Sequence, residues 1–308
     1  MLGMIPGNGH PYSWSAIVNG FDPAAMARCP YPVIQQYLGA QPAGSVRIPG
    51  ARVTHIWTDD PSDAAAVAPA SLIPYIVKRP EDVIGQVDAV MIATDNGFDH
   101  VNRARPFVEA NIPVFVDKPL ALTVEDLQTF IAWQKGGARI VSSSGLRYAP
   151  ELNPYCDGKI APAVGNLRWY SCVTPKTWER YGIHVLEPAA RILGPGFRSV
   201  RLESAPGLEI AHVTHQSGVQ ITLPIIADAG AFGLMQLCGT AGGVSIRLAD
   251  TYSAFRAQLV SFIEFVRTGQ APHTFADTVE LMCVLVAGLK SRHEGSRRVE
   301  IAEVSTRL

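Results

Sequence analysis

Charge of one sign is what this sequence lacks most plainly. Its 308 residues carry 26 lysines and arginines against 27 aspartates and glutamates, a formal net charge of −1, with no run of five like charges. Binding a phosphate backbone or an anionic bilayer needs a concentrated basic face, so neither nucleic acid nor a membrane surface is an expected partner. Long apolar runs are also missing: the longest, Leu281 to Leu289, is about half of what a bilayer span needs. Met1 to Gly9 lacks the basic start and long apolar core of a signal peptide, so a soluble, cytoplasmic protein is expected. Cysteine is sparse. Cys29, Cys156, Cys172, Cys238 and Cys283 are odd in number, far apart and never in a C-x-x-C pair, which suggests neither a disulfide framework nor a metal site. Internal repeats and low-complexity segments are absent. What remains, 47% hydrophobic and 17% charged residues, can fill the cores of one or two ordinary domains.

The first half alternates short apolar runs with helical patterns. Met1 to Ile5 is a short apolar start, and Ser13 to Gly20 reads as a helix. Ala51 to Trp57 reads as a strand ending at Thr58, Asp59 and Asp60 before an Ala-rich helix. Val87 to Ala93, Pro113 to Val116 and Arg139 to Ser142 are further strands, separated by helices at Val101 to Ala110 and Thr123 to Gln134. Strands apolar on both faces and alternating with helices predict a doubly wound parallel α/β sheet of Rossmann type over residues 1–145, with a proline-rich excursion at about 29–50. Beyond Gly145 the pattern becomes α+β. A helix at Ile183 to Leu193 is followed by strand candidates joined by Pro206-Gly207, Ser217-Gly218 and Gly242-Gly243, residues that permit tight reversals. Two closing helices, Tyr252 to Thr268 and Phe275 to His293, precede a short strand. Residues 146–308 are thus expected to form a second domain around a large, mainly antiparallel open sheet, which binds substrate and, through its outer face, joins copies of the chain.

A glycine turn between a strand and a helix lets backbone N–H groups cradle a pyrophosphate. Gly7, Asn8, Gly9 and His10 form such a turn, with Tyr12 where the third glycine of G-x-G-x-x-G would stand. A plain Gly/Pro turn would look the same. Asp59 and Asp60, at the end of the second strand, are candidates for accepting the adenosine ribose hydroxyls, although they lie fifty residues beyond Gly9 rather than the usual ~20. Asp60 is slightly preferred for this role, and N-capping the next helix is its alternative use. Ala93, Thr94 and Asp95 end the most apolar strand, at the sheet edge where ligands lie. Strand Pro113 to Val116 runs into Asp117-Lys118-Pro119, and a lysine there can polarise a substrate hydroxyl or carbonyl; an ordinary surface lysine is the other reading.

The stretch VDAVMIATDNGFDHVNRARPFVEANIPVFVDKPLALTVEDLQTF, residues 87–130, resembles the Gfo/Idh/MocA family of nicotinamide-dependent oxidoreductases. Asp117-Lys118-Pro119 stands at its E-K-P signature, and His100 at a helix start where the family often has a histidine. Leu146-Arg147-Tyr148 is similar to its Arg-aromatic step into the second domain. Gly182-Ile183-His184-Val185-Leu186-Glu187 is similar to its G-x-H-x-x-D/E pattern. The resemblance implies NAD as cofactor, with NADP less favoured. It also implies Lys118 and His184 as catalytic residues, Asp117 and Lys118 at the cofactor, and a sugar, cyclitol or related polyol as substrate. Arg147, Tyr148, Trp178, Tyr181 and His184 are the candidate substrate contacts, and Trp178 could equally be a packed core residue. Many members carry an aspartate four residues before the histidine, where this chain has Arg180; Glu179 or Tyr181 would have to substitute, and Tyr181 joins the catalytic candidates. The alternatives are a redox-neutral, NAD-using glycoside hydrolase or epimerase, an inactive dinucleotide- or sugar-binding sensor, and a structural dimerisation protein.

Overall fold

The computed structural model describes residues 1–42, 44–230 and 232–308. Its contacts group the chain into two units that interleave, rather than into halves cut near residue 145. The first comprises Met1–Asp117, Phe130–Ser142 and Phe255–Pro272; the second comprises Lys118–Thr129, Ser143–Ala254 and His273–Leu308. Among the described residues, no helix is long and apolar enough to cross a membrane.

In the first unit all strand pairs are parallel. Val90–Ile92, Val114–Val116 and Ile140–Val141 form one ladder and His55–Ile56 with Tyr75–Ile76 another. Leu2 bridges both, pairing with Trp57 and Ile92. The spatial order is therefore that of a classic doubly wound sheet. The N-terminal strand is reduced to this bridge because Gly3, directly after Leu2, takes a positive φ of +85°, which ends regular extension there. Val114, Phe115 and Val116 are all buried, as a strand covered on both faces requires. Burying Phe115 alone is worth about 2–3 kcal/mol. The excursion is more ordered than its prolines suggest: Pro32 opens the helix Pro32–Gly39, where a missing N–H costs nothing.

The second unit is built on a seven-stranded sheet. Its order in space is Gly242–Arg247, Leu234–Gly239, Leu167–Pro175, Gln220–Ile226, Leu208–His215, Phe197–Ala205 and Val299–Glu300, with Leu167–Pro175 and Gln220–Ile226 its one parallel pair. Tyr170, Cys172, Ile221, Leu223 and Ile225 turn inward and are buried. On this face pack the helices Trp178–Leu193 and Phe275–His293. The first of these begins five residues before the expected start.

Candidate active site

In the first unit, the glycine turn is tied down by its own side chains. Asn8 accepts the His10 N–H on Oδ1 (2.9 Å), and its amide donates to the Ala93 carbonyl (3.0 Å) and to Asp117 Oδ2 (3.1 Å). His10 Nδ1 meets the same Asp117 oxygen at 2.7 Å, and its ring stacks on Trp14. Asp117 is wholly buried, so its carboxylate fastens the turn to the carboxyl ends of two strands. His100 does similar work with Thr94, its Nε2 lying 2.8 Å from the Thr94 carbonyl. Asp95 is buried at the same strand end.

Asp59 and Asp60 part company. Asp60 is exposed and N-caps the helix Pro61–Ala70 by accepting the Ser62 N–H at 2.8 Å, which is the alternative use foreseen for it. Asp59 instead accepts the Met4 N–H and is gripped by Arg103 at 2.8 and 3.2 Å; Arg103 also holds Asp99.

In the second unit, Lys118 is only 2% exposed, and a buried lysine demands specific surroundings. Its Nζ lies 4.7 Å from the centre of the Tyr181 ring and 3.5 Å from the Arg180 carbonyl. The His184 ring centre is 4.8 Å from that of Tyr181 and 5.2 Å from that of Phe232. Ser144 Oγ lies 2.6 Å from His184 Nδ1. The Ser144 N–H donates to Glu187, which also pairs with Arg147 at 2.6 Å. The last residue of the G-x-H-x-x-E motif thus holds the segment that orients the histidine. Tyr148 is half-buried beside Arg147 in the chain.

Two expectations need correction. Trp178 is not a substrate contact: it is fully buried, and its indole N–H donates to the Leu285 carbonyl at 3.0 Å. It wedges between Gly182 and Gly288, where a Cβ would stand 2.7 and 2.4 Å from the indole, so the motif's glycine makes room for this wedge. Glu179 cannot stand in for the missing aspartate. Burial raises its carboxyl, but the hydrogen bond and charge of Arg292, together with hydrogen bonds from its own backbone N–H and from Thr177, hold the group below the ordinary carboxylate range. Ser144, Lys176 and Phe232 belong to the cluster without having been picked out in the sequence.

A profile of the oxidoreductase family with NAD-binding Rossmann fold, Gfo/Idh/MocA, matches residues 37–143. Inositol 2-dehydrogenase 1 of Saccharopolyspora erythraea is 26% identical over 83% of this chain and 91% of its own length. Residues 37–143 are thus similar to the NAD-binding Rossmann domain of the Gfo/Idh/MocA family. Solved structures with the same fold include a scyllo-inositol dehydrogenase from Lactobacillus casei (TM-score 0.75, 12% identity, 98% of this chain and 97% of that one). Another is an oxidoreductase from Agrobacterium radiobacter in complex with NAD+, L-tartaric acid and magnesium (TM-score 0.71, 16% identity, 83% of this chain and 93% of that one). That family is one of oxidoreductases with an NAD-binding Rossmann fold.

The residues of the first unit fit that cofactor. Gly7 holds a left-handed turn next to the N-terminus of the helix His10–Asn19. Thr94 Oγ1, at the end of its strand, is buried with no hydrogen-bond partner among the described residues, and a ligand could supply one. The family turn is nevertheless modified. Tyr12, in place of the third glycine, is buried, and burial pushes its hydroxyl up to about 12, with Cys29, Asp63 and Tyr31 adding to the shift. A Cβ on Gly9 would meet Ile34 at 2.6 Å and Tyr31 at 2.7 Å, and the Gly7 N–H is directed at the Tyr31 hydroxyl. Tyr31 thus occupies a donor that a phosphate oxygen would use. Tyr31→Phe should therefore tighten dinucleotide binding several-fold, by about 0.5–1.5 kcal/mol for the relieved competition. Fluorescence titration checks this, and unchanged or weaker binding would contradict it.

If Asp59 faces the adenosine ribose, Asp59→Ser removes a carboxylate that would repel a 2′-phosphate and leaves Arg103 held by Asp99 alone. Preference for NAD over NADP should then narrow by about tenfold or more, read by titrating both dinucleotides. Unaltered discrimination would mean that the ribose is recognised elsewhere.

Proposed function

We propose that this oxidoreductase transfers hydride between NAD and a hydroxyl-bearing carbon of a sugar, cyclitol or related polyol. The observation that carries the reading is the joint contact of the buried Lys118 and of His184 with one ring, that of Tyr181. Bound NAD supplies the hydride acceptor or donor. Lys118 Nζ donates a hydrogen bond to the reacting oxygen and polarises it. His184 takes up the hydroxyl proton or returns it, a task suited to imidazole near neutral pH; with Nδ1 beside Ser144, the exchange is assigned to Nε2. Residues 1–145 supply the cofactor contacts of Gly7, Asn8, Gly9, His10, Asp59, Ala93, Thr94, Asp95 and Asp117. Residues 146–308 supply Arg147, Tyr148, Tyr181 and His184 toward substrate. The inositol dehydrogenase names among the relatives support the polyol class. The test is a panel of inositol isomers, aldoses and alditols with NAD, followed by dinucleotide absorbance. Turnover of at least one of them is expected, and none with a dinucleotide demonstrably bound would sink the reading.

The reading includes a cytoplasmic location and a homodimer or homotetramer formed through the outer face of the seven-stranded sheet. Trp169, Val173, Pro224 and Ile226 on that face are half-buried, and Leu234 is 45% exposed, a run of apolar surface of the kind that interfaces cover. Light scattering at micromolar concentration should give a multiple of the 33.2 kDa chain mass; a monomer would overturn the assembly.

A further inference from the structure

Lys176 stands in an unusual place. Its φ is +67°, in the left-handed region that favours glycine, at the turn between the strand Leu167–Pro175 and the helix Trp178–Leu193. From there its Nζ reaches the hydroxyl of Tyr181 at 2.5 Å and lies 4.2 Å from the centre of that ring. Thr174 Oγ1 donates to the Tyr181 carbonyl on the same turn (3.4 Å). The charged and titratable side chains in contact with the Tyr181 ring, among the contacts described, are Lys118, Lys176 and His184; Phe232 closes on the ring at 6.2 Å.

We propose that Lys176 is a positioning residue for the hydride-transfer site: by donating to Tyr181 Oη it makes that phenol a second donor to the reacting oxygen, alongside Lys118. The inference deepens the polyol reading and rests on it. An ammonium hydrogen has no acceptor role, so in this bond the phenolic oxygen accepts and its own hydrogen points to another partner. A phenol whose oxygen is drawn upon by a cation is a stronger donor. When the substrate carbon is reduced, charge builds on its oxygen, and preset donors stabilise that charge most in the transition state. No proton leaves Tyr181 in this scheme. The proton moves between the substrate oxygen and His184. The pair also answers the presence of Arg180 where an aspartate is common, since Glu179 is committed to Arg292.

Three variants and two readouts test this. Tyr181→Phe should lower kcat on the order of 10²-fold with KM nearly unchanged. Lys176→Met should show most of that loss, and Lys176→Met combined with Tyr181→Phe should be no worse than Tyr181→Phe alone. Lys176→Gly suits the left-handed backbone, so it should hold or raise Tm while losing activity like Lys176→Met. The second readout needs no substrate: tyrosinate absorbance should show one tyrosine, identified by its absence in Tyr181→Phe, whose titration moves up by about a pH unit or more when Lys176 becomes Met or Gly. An unmoved titration, an additive double variant, or full activity in Lys176→Gly would each overturn the proposal. If the wild-type chain turns over no polyol, the polyol reading fails, while the titration still decides whether Lys176 acts on Tyr181.

Discussion

Replacing Lys118 with alanine is expected to lower turnover on the order of 10²-fold or more while leaving dinucleotide affinity nearly intact. The asymmetry follows from what the side chain touches. Its ammonium lies against the Tyr181 ring and the Arg180 carbonyl, whereas the glycine turn is held by Asn8, His10 and Asp117. If Lys118 polarises the reacting oxygen as proposed, its removal touches the chemical step and leaves the glycine turn intact. His184→Ala should cost a similar factor and should also flatten the pH dependence of kcat/KM near neutrality, because imidazole is the group that changes charge there. If both act on one proton-coupled step, the double variant will be little worse than either single one. Steady-state rates across pH, with dinucleotide binding measured separately, supply the check. A double variant of near-normal turnover would remove both residues from the mechanism.

The largest effect on stability is expected at Asp117. Asp117→Ala deletes a fully buried carboxylate, takes from the Asn8 amide one of its two acceptors and leaves the His10 ring nitrogen without the oxygen it meets. Losing these buried hydrogen bonds, with a cavity besides, costs about 3 kcal/mol or more. Dinucleotide affinity should fall as well, because the Asn8 side chain that receives the His10 N–H loses one of its anchors. Asp117→Asn keeps the shape and one acceptor oxygen, so it should cost roughly half as much. Denaturant unfolding of both variants tests the ranking; equal stability for Asp117→Ala and the wild type would mean that the carboxylate is not what secures the turn.

Much of this architecture could be read from the sequence where local chemistry and tertiary structure agree. Phe275–His293 falls where its apolar period places it, opened by Thr274 as N-cap with Asp277 reciprocating. The strands after Gly194 end at the expected Pro206-Gly207 and Ser217-Gly218 reversals, where Gly207 and Gly218 take positive φ. The D-K-P and G-x-H-x-x-E motifs carried the site because spacing along one chain segment is visible in a sequence. What escaped depends on pairs remote in sequence or on backbone conformation. Ser144 meets His184 across forty residues, and nothing in either neighbourhood announces the pairing. Tyr31 covers the glycine turn from a segment whose prolines read as irregular chain, although a proline at the first helical position is itself a start signal. Lys176 and Tyr181 are close in sequence, yet only the left-handed turn at Lys176 brings their polar atoms together. Trp178 was ambiguous because an aromatic next to a catalytic motif can line a site or support it, and the two glycines that accommodate it lie on different helices.

The placement of the tryptophans has an experimental use. Of the five, Trp14 and Trp178 are almost fully buried, one in each unit. Trp14 lies in the first unit under the stacked His10 ring, 4.3 Å from it. Its emission therefore depends on how the His10 ring is held against it by the glycine turn. Trp178 lies in the second unit with its indole N–H bonded to a carbonyl, in surroundings that change only if the two helices separate. A chain carrying Trp14→Phe and another carrying Trp178→Phe would thus separate the two signals, allowing the melting of each unit, and the arrival of dinucleotide at one of them, to be followed optically without any label.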